Sequence, residues 1–358
     1  MFYNFIKKYK FNISIYIFFL FFILFFIKFS TASANVNTYK IADLEISKTY
    51  DNDFNKEEVI DIAFKKAFEE LILKITTLNL DEVGKLVNLK NIYGLIDSFS
   101  IVDEKFVDNK YVSKFDVEFS KKEILKYLEK KNIFPSIPKE KTLLLIPILI
   151  NNEKNQILLF SENPFYNNWN KSEKKYYLLN YILPNEDIED INIIKKNITN
   201  IEQYDFNEIV SKYEIDNYII LILFQKQNKF NALMKANLNN KIIISNKKFE
   251  WNENQSIENI IDNLKLEFEK QWKKLNIINV SIKLPITLAI KSKNYGLIKK
   301  LDKKLQNLDL VSSFYIDSIN NDKLIYKIIY NSTPDKFINE FTNDDIKLNT
   351  NESIWRIE

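Results

Sequence analysis

Glu186, Asp187, Glu189 and Asp190 form the best acidic cluster in the sequence, directly after Pro184 and Asn185. Carboxylates this close could ligate Ca²⁺ or Mg²⁺ through oxygen, or two of them could act as the acid and base of a glycosidase. The same residues in the same order also make a helix start: Asn185 or Asp187 would cap it, and acids in a first turn face the positive end of the helix dipole. The helix start is favoured, because a calcium loop of the helix-loop-helix type needs a glycine that is missing here. No metal is expected, and Glu186, Asp187 and Asp190 remain the weak cluster to follow. The pairs Asp51–Asp53 and Asp344–Asp345 sit in turn-like contexts and read as turn residues.

Other chemistries are closed by composition. The chain has no histidine and no cysteine, which removes Ser-His-Asp and Cys-His nucleophiles, the usual histidine base and Cys/His zinc sites. Gly84, Gly94 and Gly296 are its three glycines and stand alone, so no glycine-rich phosphate cradle exists. No catalytic residue and no cofactor is expected, and only carboxylate chemistry remains open.

The most distinctive short motif runs from Asn163 through Pro164, Phe165, Tyr166, Asn167 and Asn168 to Trp169. Aromatic rings beside amides can form a platform for sugar or peptide, which makes Asn163, Phe165, Tyr166 and Trp169 the binding candidates. The competing and favoured reading is a helical turn capped by Asn163 with Pro164 at its first position, its rings packed on a sheet. Trp251, Trp272 and Trp355 read as core or core-edge residues, and the lysines at 299, 300, 303 and 304 as a solvated helix face.

The segment that would place all of this outside the cytoplasm comes first. Lys7, Lys8 and Lys10 precede an apolar run from Ile13 to Ile27 broken only by Ser14. That run is shorter than the ~20 residues a membrane span needs and fits a signal-peptide core. Ala32 and Ala34 then give the small-x-small spacing of a signal-peptidase site, with the cut before Asn35. The expectation is a periplasmic protein. The alternative is an uncleaved inner-membrane anchor facing the periplasm, which would be its only membrane contact. Removing residues 1–34 takes away Lys7, Lys8, Lys10 and Lys28 and no acid, so the formal charge falls by four, from +3 to −1. A nearly neutral chain whose one arginine is Arg356 has no footprint for nucleic acid.

Periodicity predicts an α+β fold of three small α/β units. Residues 35–133 read as an N-terminal α+β domain in the order β-α-(α)-β-β-α: a strand with Tyr39, Ile41, Leu44 and Ile46, a helix with a buried face at Ile60, Phe64, Ala67, Leu71 and Ile75, a weaker helix over Leu86–Ile96, and a hairpin turning at Asp108–Asn109. Residues 134–139, with Pro135 and Pro138, read as a linker. Residues 140–277 form the middle domain, a mixed sheet with packed helices. It opens on the apolar strand Thr142–Ile150 and holds a meander turning at Asn239–Asn240. Residues 278–358 read as a ferredoxin-like β-α-β-β-α-β module.

These landmarks resemble a family of exported proteobacterial proteins, domain of unknown function 2066. The likeness lies in the order of the Tyr39 strand, the helix around Ala63 and Ala67, the Tyr111–Phe119 strand, the proline linker, the apolar strand after it, Asn163-Pro164-Phe165 with Trp169, Leu183-Pro184 with the acids at 187–190, and Trp355. It implies an envelope protein without an assigned activity, so no functional residue carries over. The resulting expectation is a non-enzymatic periplasmic module that binds an envelope protein or glycan. A carboxylate-dependent cell-wall glycan hydrolase and a periplasmic small-molecule binding protein are the alternatives.

Overall fold

A computed structural model describes residues 38–171, 173–227, 229–250, 256–342 and 346–357. The export segment with Ala32, Ala34 and Asn35, as well as Trp251, Asp344 and Asp345, lie outside the described residues.

The first sheet is built from β1 (Thr38–Thr49), followed by helix α1 (Lys56–Ile75), the short helices α2 (Leu80–Gly84) and α3 (Leu89–Tyr93), strands β2 (Ile96–Val107) and β3 (Lys110–Ser120), and helix α4 (Lys121–Lys130). Its order is β1-β3-β2, antiparallel throughout. Asp108 and Asn109 both take left-handed φ values, 51° and 56°, the geometry a two-residue hairpin needs. Every second residue of β3, from Tyr111 to Phe119, is buried under the apolar face of α1. The helix expected over Leu86–Ile96 is a single turn, Leu89–Tyr93, and a separate turn, Leu80–Gly84, precedes it. Asn79 and Asn88 each cap a new start, and the chain is already strand at Ile96.

The middle sheet contains β4 (Lys141–Asn151), β5 (Gln156–Leu158), then helix α5 (Pro164–Asn168), β6 (Leu179–Ile182), helices α6 (Ile188–Lys196) and α7 (Asn207–Val210), the meander β7 (Tyr218–Lys226), β8 (Lys229–Leu238) and β9 (Lys241–Glu250), and helix α8 (Ile257–Leu275). The strand order is β5-β4-β7-β8-β9, with β6 parallel to the first half of β4. Strand β4 is apolar on both faces because both are covered. Leu143, Leu145 and Leu149 pack under Ile261, Leu264, Phe268 and Trp272 of α8. Leu144, Ile146 and Ile148 pack under Ile194, Phe206, Ile209 and Val210 on the other side. Pro147 is tolerated in this strand because β6 pairs with it only up to Leu144 and β5 only from Leu149, which leaves that stretch of the edge free.

The last sheet holds β10 (Leu284–Lys291), helix α9 (Tyr295–Asn307), β11 (Val311–Ile319), β12 (Lys323–Tyr330), helix α10 (Pro334–Thr342), β13 (Leu348–Asn349) and β14 (Trp355–Ile357), in the order β11-β12-β10-β14-β13. The order β11-β12-β10-β14 is that of a ferredoxin-like sheet, with one departure. Strand β14 runs parallel to β10, whereas the ferredoxin-like fourth strand is antiparallel. The short β13 supplies the reversal, pairing antiparallel with β14 on its outer side. The first sheet repeats the same split arrangement without a fourth strand, since β3 lies between β1 and β2 as β12 lies between β10 and β11.

The three sheets belong to one compact unit, Thr38–Glu358. The proline segment is part of the packing: Ser136 is buried, its N–H and hydroxyl both donate to the Ile75 carbonyl at 2.6 and 3.1 Å, and Ile137 and Ile278 exchange backbone bonds with Asn276 and Pro135. Helix α4 serves two cores, with Ile124 and Leu128 facing the first sheet and Leu125 the last.

Candidate binding surface

Helix α5 carries the aromatic motif, and its side chains point inward. Asn163, Phe165 and Trp169 are fully buried, and Tyr166 is half-buried. Asn163 caps the helix by accepting from the Phe165 N–H at 2.9 Å, while its amide donates to the Pro147 carbonyl at 3.0 Å. It thus occupies the gap that Pro147 leaves on the β4 edge. Phe165 meets Phe230 edge-on at 5.6 Å, and Trp169 stacks on Phe268 at 5.9 Å. Tyr166 donates to the Pro184 carbonyl at 2.7 Å. A sugar platform needs exposed ring faces, and in this motif the rings form the contact between α5, α8 and the sheet.

The acidic cluster opens α6. Asp187 is the cap, accepting from the Glu189 N–H at 2.8 Å. Lys212 reaches across to Asp187 at 3.1 Å and to the buried Asp190 at 2.7 Å, while Glu186 accepts from the Ser161 hydroxyl at 3.0 Å. The hydrogen bond from the Glu189 N–H, and after it the Lys212 ammonium, hold the Asp187 carboxyl below the usual range. The acids therefore stabilise a helix start and share one ammonium. Among the described residues no group of three or more acids is arranged to hold a metal ion, and no helix is long and apolar enough to cross a membrane.

A second set of charges, not singled out in the sequence, is buried along α8. Lys265, Glu269 and Lys273 recur every four residues beside the apolar stripe and are all buried. Glu269 Oε1 accepts from the backbone N–H groups of Leu178 and Leu179, both at 2.8 Å, and so fixes the start of β6. Lys273 lies 3.8 Å from Glu269 Oε2 and donates to the Leu73 carbonyl at 2.6 Å. That carbonyl belongs to the last turn of α1, where the helix dipole favours a cation. Burial raises the Glu269 carboxyl and lowers the Lys273 ammonium from their ordinary values. Lys265 sits over the rings of Trp169 and Tyr181 at 5.9 and 5.7 Å. These perturbed groups are taken up by backbone and aromatic partners, and they join the first sheet's helix to the middle sheet.

The opposite end of that sheet is different. Strand β9 ends the strand order, and among the described residues its far edge is unpaired. Asn239 and Asn240, with φ of 51° and 60°, form the two-residue turn before it, and the Asn217 side chain accepts from the Asn239 N–H at 2.8 Å to hold the turn. In such a hairpin the residues flanking the turn are a hydrogen-bonded pair, here Leu238 and Lys241. Alternation then turns the N–H and C=O groups of Ile242, Ile244, Asn246 and Lys248 to the free edge, with their side chains on one face. Ile243 and Phe249 point the other way and pack under α8. Ile242 is 81% exposed and Ile244 66%. Beside them lies a cavity of about 280 Å³ walled by Tyr204, Phe206, Tyr218, Ile220 and Lys235. Burial lowers the Lys235 ammonium, which donates to the Tyr204 carbonyl at 2.7 Å. At the other end of β9 a cleft of about 780 Å³ is lined by Phe224, Phe230, Phe249, Lys226, Lys229 and Lys248, with Glu202 and Glu250 on its rim.

This edge left a trace in the sequence. A strand covered on one face needs alternate apolar residues, and three consecutive isoleucines after a polar turn place two on the wrong side. No protein-family model matches the chain, and a search of curated proteins finds no relative.

Proposed function

We propose that the protein is a non-enzymatic module of the cell envelope that binds a partner polypeptide along the free edge of β9. The observation that carries this reading is the pair Ile242 and Ile244, exposed beside unpaired strand backbone and next to an aromatic-walled cavity. An unpaired apolar edge is the surface on which an extended segment adds as a further strand, with main-chain hydrogen bonds for affinity and alternate side chains for specificity. The signal-like first 34 residues and the resemblance to the exported domain-of-unknown-function family 2066 supply the compartment. The hydrolase alternative loses its acidic cluster, because Asp187 and Asp190 are tied to Lys212. The small-molecule alternative keeps one point in its favour, since a cleft of about 780 Å³ falls in the usual size range for ligand sites.

A photo-crosslinking amino acid placed at Ile244, with a control at the exposed Tyr295, tests the reading in cells that export the full chain. A defined envelope protein joined from position 244 and not from 295 is the expected result, with the mature N-terminus at Asn35 in the same spectra. An identical set of adducts from both positions, or none from 244, overturns it.

A further inference from the structure

We infer that the segment taken up by β9 is apolar at one end and acidic at the other, with an acid opposite Lys248, at the end of the strand where Lys226 and Lys229 add positive charge. This rests on the strand-addition reading and adds the chemistry of the partner. Along β9 the outward face changes in register from Ile242 and Ile244 through Asn246 to Lys248, which spans about 20 Å at the rise of an extended strand. Lys248 stands at the end where Lys226 and Lys229 line the same cleft. These three lysines are exposed, and their side chains have no ion-pair or hydrogen-bond partner among the described residues. The neighbouring Lys247, on the other face, is held by Glu267 at 3.1 Å. Among the described residues Glu202 and Glu250 are the acids lining this cleft, fewer than its three lysines. Opposite charges facing each other across strands are favourable and like charges are not, so an acid is the residue that fits opposite Lys248.

A second copy of this chain fits poorly in the two registers that align the full length of β9. Antiparallel pairing of β9 with itself about Asn246 sets Ile244 against Lys248 and Ile242 against Glu250. Parallel in-register pairing sets Lys248 against Lys248. Lysines on a free edge discourage such self-pairing, and a segment with separate apolar and acidic ends satisfies both halves at once.

The test is selection from a displayed library of random dodecapeptides on the purified full chain, followed by binding of recovered peptides to three proteins: wild type, I242K/I244K, and K226E/K229E/K248E. All substituted positions are exposed, and an unchanged thermal midpoint confirms that each variant folds. Peptides that alternate apolar residues, carry acids toward one end, lose binding to I242K/I244K and weaken about tenfold or more on K226E/K229E/K248E are the expected result. Peptides that need Ile242 and Ile244 but show no acidic enrichment, or bind the lysine-reversed protein equally well, overturn the inference and leave strand addition standing. Absence of any peptide sensitive to I242K/I244K removes both. Lysine-dependent binding to phosphatidylglycerol vesicles in that case assigns the three lysines to a membrane surface instead.

Discussion

Helix α8 packs on the sheet that β9 ends, and both carry lysines on and beside apolar positions, yet their side chains meet opposite fates. On α8, Lys265 and Lys273 are buried among ring faces, a carboxylate and a helix-terminal carbonyl. At the β9 end, Lys226, Lys229 and Lys248 face an open cleft, and Ile242 and Ile244 face solvent. Inside, each charge that left water is matched by a group on another element, so the charges fix how the elements join. At the edge the side chains of Lys226, Lys229 and Lys248 have no ion-pair partner among the described residues, so they contribute little to this fold. A buried charge with a raised or lowered pKa is often read as a sign of chemistry; on α8 the perturbed charges mark the joint between sheets.

The comparison breaks most sharply at Lys273. Lys273→Met removes the donor to Leu73 and leaves the buried Glu269 without its cation, which destabilises the chain by about 3–5 kcal/mol. Denaturant unfolding measures this, and Glu269→Gln added to Lys273→Met should recover part of the loss, because no lone buried charge then remains. A loss below about 1 kcal/mol for Lys273→Met would mean that the joint does not depend on this pair.

Glu269 gives a smaller effect with a definite sign. Burial raises its folded-state pKa, while Lys273 and the Leu178 and Leu179 N–H groups act against the rise; Tyr177 and Tyr181 lie close enough to feel its charge. A carboxyl raised on folding contributes its stability below its unfolded value, about 4.3, and loses it as pH rises through the folded value. Lowering pH from 7 toward 4.5 should therefore stabilise the wild type relative to Glu269→Gln, read as a growing difference in thermal midpoint. A constant difference would show that Glu269 carries no net burial penalty.

Why one side of this comparison was legible in the sequence and the other was not follows from what each residue type signals alone. The Tyr111–Phe119 alternation, the two-faced strand at β4 and the cap at Asn163 were readable, because periodicity and capping are local. The buried charges of α8 were not, since Lys265 and Glu269 look like any solvated helix face until the Tyr176–Leu179 segment and α1 fold over them. Pro135 and Pro138 correctly signalled an extended segment. The burial of Pro135 and Ser136 between α1 and the Asn276–Ile278 stretch depends on a contact more than a hundred residues away in sequence. The aromatic motif at α5 gave the right local structure, and which way its rings point was decided by Phe230 and Phe268, remote in sequence.

The finest test lies within the three consecutive isoleucines of β9, where the backbone and residue type are constant and only the facing side changes. Threonine keeps the β-branch and the strand preference and removes apolar surface. At Ile243, which packs under α8, Ile243→Thr places a hydroxyl against that core and should cost about 1 kcal/mol or more. At Ile242 and Ile244 the lost methyl groups are already in water, so Ile242→Thr and Ile244→Thr should each change stability by less than about 0.5 kcal/mol. The ranking reverses for association, since the two exposed side chains supply the apolar contact to a partner strand and Ile243 supplies none. A set of three variants, each measured by unfolding and by capture of the crosslinked partner, separates the roles. Equal destabilisation at all three positions would mean that the exposed isoleucines serve the fold, and the contrast between a committed interior and an available edge would no longer hold.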